Sequence, residues 1–153
     1  MKKHFIFSLI GITLSIFSGF GQNNGRVANF SYGNYDSPDF ESYSFWVGSN
    51  KRSSIDYTYR TKTGDIKHLK LKYAGIDVSD GQKAFKIIFP NGLLLYITLS
   101  AEETLMVKSA DGSYSKHFKW LYEGPINGVG TWCEPCTQDG KESVKLLKMY
   151  YFK

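Results

Sequence analysis

The chain has 153 residues, of which 22% are charged and 16% aromatic, with two cysteines and a formal net charge of +5. That length suits one domain, large enough to bury a core without relying on a disulfide framework. A charge this modest argues against nucleic acid as a partner.

Met1-Lys2-Lys3-His4 leads into the uncharged run FIFSLIGITLSIF, residues 5–17, and the small residues Gly19 and Gly21 follow. This charged, apolar, small-residue order predicts a secretory signal peptide over 1–21, with an exported mature domain over 22–153 starting at Gln22. The destination is periplasmic or secreted, and the apolar run falls short of the about 20 residues of a membrane span. Cleavage would remove two of the 19 basic residues, leaving 17 against 14 acidic, a balance of +3.

Residues 21–40, GQNNGRVANFSYGNYDSPDF, are rich in Gly, Asn, Ser and Asp, and predict an extended lead-in or a weak edge strand. From there β-branched and aromatic runs alternate with turn signals at short spacing. ESYSFWVGS, SSIDYTYRT, DIKHLKLKYAGI, KAFKIIF, LLLYITL, TLMVKS and SYSKHFKWLY are separated by segments such as Lys62-Thr63-Gly64, Ser79-Asp80-Gly81, Pro90-Asn91-Gly92 and Asp111-Gly112. Asn-Gly and Asp-Gly favour the positive φ of tight hairpins. Ile55, Tyr57 and Tyr59 share a parity opposite to Asp56, Thr58 and Arg60, as Leu69, Leu71 and Tyr73 do against His68, Lys70 and Lys72. That period of two predicts sheet with one wet face. KIIF and LLLYI are apolar at both parities, which predicts cover on both sides. The expected fold is all-β: a small antiparallel meander of seven or eight strands closing into a barrel or a two-layer sandwich.

The C-terminal stretch differs. Lys141, Lys145 and Lys148 recur at helical spacing, and Val144, Leu147 and Tyr151 do so on another side. Asp139 with Glu142 three residues later has the form of a capping box. A short terminal helix is expected, with a strand over MYYF as its competitor.

Cys133 and Cys136 lie in Trp-Cys-Glu-Pro-Cys, which resembles the active-site signature of thioredoxin-like oxidoreductases. The resemblance implies thiol–disulfide exchange, but it covers these five residues alone. Such a site needs a buried strand running into the first Cys and a helix starting there. Here the Gly-Pro-rich segment EGPINGVGT comes before it, and only 17 residues follow Cys136. A short structural disulfide is therefore expected, in keeping with an oxidising compartment. A zinc site would need two further ligands, and His68 and His117 sit beside lysines in strands. Residues 122–132, YEGPINGVGTW, resemble part of a MORN repeat, and Gly130-Thr131-Trp132 resembles the Gly-x-Trp of lipocalins. Both fragments are too short to build those architectures.

No nucleophile–base order or carboxylate pair stands out, so a non-catalytic binding or interaction module without a cofactor is expected, for glycan, peptide or an envelope component. Seven aromatic residues fall within the 17 positions 30–46, and nine basic against four acidic residues lie between Lys51 and Lys86. Closure of a meander brings its first strand beside its last. The expected surface thus joins Tyr43 and Trp46 to Trp120, Tyr122 and Trp132, with Lys70 and Lys72 adding a weak preference for anionic ligands.

Overall fold

A computed structural model describes residues 25–48, 53–100, 103–121, 133 and 135–153. The expected signal peptide lies outside these residues. Eight strands run in chain order around a closed antiparallel barrel: β1 (Arg26–Tyr32), β2 (Glu41–Val47), β3 (Ser53–Arg60), β4 (Ile66–Ser79), β5 (Gln82–Ile88), β6 (Leu94–Leu99), β7 (Thr104–Ser109) and β8 (Ser115–Trp120). Barrel, not sandwich, is the outcome.

The alternation read from the sequence decides which side chains enter the barrel. Tyr43 and Phe45 from β2, Ile55 from β3, Leu71 from β4 and Phe85 from β5 join one buried cluster with Phe30, Leu95, Leu105 and Phe118. Aromatic rings meet across the interior, with Tyr43 and Phe118 centroids 4.9 Å apart and Phe45 and Phe85 5.9 Å apart. At eight strands a barrel is just wide enough for side chains to fill it.

Strand β1 is not the lead-in or weak edge expected from the sequence: it is in register with β2 over its whole length, from Arg26 opposite Val47 to Tyr32 opposite Glu41. It also closes the barrel through Phe30 opposite Trp120 and Ser31 opposite Lys119 on β8. Its Gly- and Asn-rich flanks hid a run, VANF, that is buried throughout. On the outward faces of β5 and β6, Ala84 and Thr98 are buried and Ile88, Leu94 and Tyr96 half-buried.

Strand β4 runs beyond the expected end at Ile76. Its pairing with β5 shifts register between Tyr73 and Ile76, where Gly75 takes φ +84°. A bulge of this kind bends a strand without ending it. The hairpin then turns at Asp80 and Gly81, both at positive φ.

Helix α1 (Gly140–Tyr150) settles the C-terminal alternative in favour of helix. The Asp139 side chain accepts from the Glu142 N–H at 2.7 Å, while Glu142 accepts from the Gln138 N–H at 2.7 Å, one residue before the usual capping-box partner. Ser143, Leu147 and Tyr151 form the buried side. Tyr151 and Phe152 plug one end of the barrel, their rings 5.3 and 5.0 Å from that of Phe85.

Candidate functional site

The structure divides the expected surface into separate places. Tyr43 is wholly buried inside the barrel, and Trp120 is half-buried against the same core. Trp46 lies on the outside of β2, 39% exposed, and Lys70 and Lys72 are exposed on the outside of β4. Tyr122 and Trp132 lie outside the described residues. Tyr43 and Trp46 therefore cannot share a surface: they are three residues apart in one strand, so they leave it in opposite directions. The β1–β8 seam does form, yet it turns Trp120 inward, so no aromatic platform joining Tyr43, Trp46 and Trp120 exists there.

What the outer face of β2, β3 and β4 carries is a groove of about 480 Å³. Its lining joins the polar Ser42, Ser44, Asp56, Thr58 and His68 to the apolar Ile66 and Leu121. In register across the strands, Ser44 stands opposite Asp56 and Asp56 opposite Lys70; one pair along, Ser42 stands opposite Thr58 and Thr58 opposite His68. The Thr58 hydroxyl and His68 Nδ1 are hydrogen-bonded at 2.9 Å. Trp46 stands at one end, and Tyr35 and Phe40 of the β1–β2 loop at the other. The groove exists because ESYSFWV puts two serines where the outward side chains would otherwise be tall.

The rim is fixed from behind. Tyr35 is 62% exposed, but Arg60 donates to its carbonyl from Nε at 3.1 Å and from Nη2 at 2.6 Å. The same guanidinium lies 5.3 Å from the Tyr35 ring centroid, a cation–π distance. Phe40, buried beneath, meets the Tyr35 ring edge-on at 5.2 Å. At the other end the support is to backbone: the Tyr151 hydroxyl reaches from inside the barrel and shares its one proton between the carbonyls of Trp46 at 2.9 Å and Ser54 at 3.1 Å. Burial holds the Tyr151 hydroxyl above its usual pKa, which keeps it a donor.

Inside the barrel, at the end away from the helix, polar groups form a second cluster. Glu41 accepts from the Tyr114 hydroxyl at 2.7 Å and is ion-paired with Lys116. The Lys116 ammonium lies 4.5 Å from the Tyr32 ring centroid. Tyr43 turns its hydroxyl toward Tyr114 without closing a hydrogen bond of good geometry. Burial first pushes Tyr43, Tyr57 and Tyr114 well above the ordinary tyrosine range; the Glu41 charge adds to it in all three, and neighbouring tyrosine charges do so for Tyr57 and Tyr114. The carboxylate is thus satisfied inside the protein, and the cluster reads as an organiser of the barrel.

Cys133 and Cys136 are joined in a disulfide. Their segment has a task the sequence did not suggest. Val27 donates to the Pro135 carbonyl and accepts from the Thr137 N–H, both at 2.9 Å, so residues 135–137 run beside β1 where β8 has ended. Asn29 Nδ2 reaches Cys136 Sγ at 3.4 Å.

Comparison with protein-family models, curated proteins and solved structures finds no match. Tyr35, Asp56, Thr58 and His68 were not legible as a site in the sequence. The available signal was parity: Ser42, Ser44 and Trp46 share one face of β2.

Proposed function

We propose that the protein is an exported, non-catalytic binding module whose ligand surface is the outer groove of β2, β3 and β4. One observation carries this reading: polar side chains of three strands lie between the exposed Trp46 and a Tyr35 ring held in place by Arg60 and Phe40. An exposed ring fixed before a ligand arrives loses little freedom on binding. Flat apolar area beside hydroxyl and carboxylate groups suits sugar rings or peptide side chains. Lys70 and Lys72 stand on the same outer face but do not line the groove.

The test is retention of an envelope-extract component on immobilised protein, compared with the Trp46→Ala variant. Retention that depends on Trp46 supports the reading; equal retention by both proteins would move the binding surface elsewhere. Export is tested by intact mass, with a mature start at Gln22 expected.

Thiol–disulfide exchange is the competing function. Cys136 is 4% exposed, and α1 begins only at Gly140, so the pair does not sit at the helix start that lowers a thiol pKa. Insulin reduction is expected to be absent. Cys133→Ser/Cys136→Ser is expected to fold with a loss of about 2 kcal/mol or less, since the closed loop is minimal; insulin reduction that the double variant abolishes would reverse the assignment.

A further inference from the structure

We infer that the occupant of the outer groove is a neutral oligosaccharide, an inference that rests on the groove being the ligand surface. Three observations narrow the chemistry. The first is that each strand of the barrel has a hydrogen-bonded neighbour on both sides. Backbone groups of β2, β3 and β4 are occupied by the ladders between them, so a peptide cannot add as a further strand, the mode that gives extended peptides much of their affinity. Recognition falls to side chains.

The second observation is the nature of those side chains. Ser42, Ser44 and Thr58 offer hydroxyls, Asp56 a carboxylate and His68 an imidazole. Hydroxyls both donate and accept, and a carboxylate accepts twice, which matches the adjacent hydroxyls of a sugar ring. Asp56 is the one carboxylate lining the groove and sets it against an anionic ligand, and Lys70 stands opposite it in register on β4 without lining the groove. Arg60 is committed to the Tyr35 and Gly64 carbonyls. The floor therefore favours an uncharged ligand.

The third is length. Trp46 is in register with Ser54, and Tyr35 is held by Arg60, six residues along the same strand. At the rise of a β-strand Ser54 and Arg60 stand about 20 Å apart along β3, and the groove runs between the rings that flank them. One sugar ring cannot touch both; a chain of rings can, with Trp46 and Tyr35 as its outer stacking platforms.

Calorimetric titration of the full protein with cellohexaose, laminarihexaose, chitohexaose, maltohexaose and hexagalacturonate, beside selection from a displayed peptide library, decides the matter. At least one neutral hexasaccharide is expected to bind, with its monosaccharide at least about tenfold weaker. Trp46→Ala should weaken that binding by at least about tenfold at an unchanged melting temperature. Ser44→Gln, which fills the floor and leaves Trp46 in place, should do the same and guards against a folding defect in the first variant. Tighter binding of hexagalacturonate would overturn the neutral assignment. Failure of every saccharide, with selected peptides binding in a Trp46-dependent way, would overturn the sugar class and leave the groove standing. Saccharide binding indifferent to both variants, or no binding by any probe, would remove the groove as well.

Discussion

Strands β2, β3 and β4 present two faces of opposite character built from the same twenty-odd residues. The inner face carries Tyr43, Phe45, Ile55 and Leu71, all within the buried cluster. The outer face carries Ser42, Ser44, Asp56 and Thr58, and it is concave because these side chains are small. Large rings inside hold the strands rigid, which allows the outside to stay underfilled. A groove on a sheet needs that division of labour: the stabilising area lies on one side, so the other is free to keep space.

The inner face is the more sensitive of the two. Phe45→Ala removes a ring that meets Phe30, Phe85 and Tyr151. A loss of about 3–5 kcal/mol is expected in chemical denaturation; a loss below about 1 kcal/mol would mean that the inner face does not carry the stability. Alkali attacks the same face at its polar end. Tyr43, Tyr57 and Tyr114 are all raised from an ordinary value of 10.0. Their contribution is complete below that value and is lost as pH rises above it, because the unfolded chain gives up these protons first. Absorbance of tyrosinate and loss of tertiary signal should therefore rise together above about pH 10. Separate transitions would show that the cluster ionises without unfolding.

Tyr151→Phe sharpens the link between the faces. It keeps the ring in the core and removes the hydroxyl that donates to the Trp46 and Ser54 carbonyls. A loss of about 1 kcal/mol is expected, with weaker binding in the groove although Tyr151 does not line it. Unchanged ligand affinity would show that Trp46 needs no support from inside.

Much of the fold was readable because strand parity and turn chemistry are local. Ile55, Tyr57 and Tyr59 identified the inner face of β3, and Asp80-Gly81 and Asp111-Gly112 marked turns that do take positive φ. The site was readable only in part. Trp46, Lys70 and Lys72 share the outer face, but grouping Tyr43 with Trp46 ignored the parity that had served so well elsewhere. Tyr35 and His68 join the groove through Arg60 and through strand register, which are tertiary facts. The partnership of β1 with residues 135–137 was out of reach for the same reason, since no local pattern marks which edge a Pro-Cys segment will meet.

That partnership bears on how the molecule is made. Asn29 and Cys136 stand 107 positions apart in the chain. A nascent polypeptide therefore exposes β1 from the start, and Val27 cannot satisfy its backbone until Pro135 and Thr137 have been synthesised. Seven of the eight strand pairings join neighbours in sequence, so the closure of β1 is the long-range step of folding. Until the last segment arrives the Val27 end of the first strand keeps an open edge, where another chain can add. Truncated before Cys136, the chain should accordingly aggregate more readily through that end of β1, although all eight strands are present.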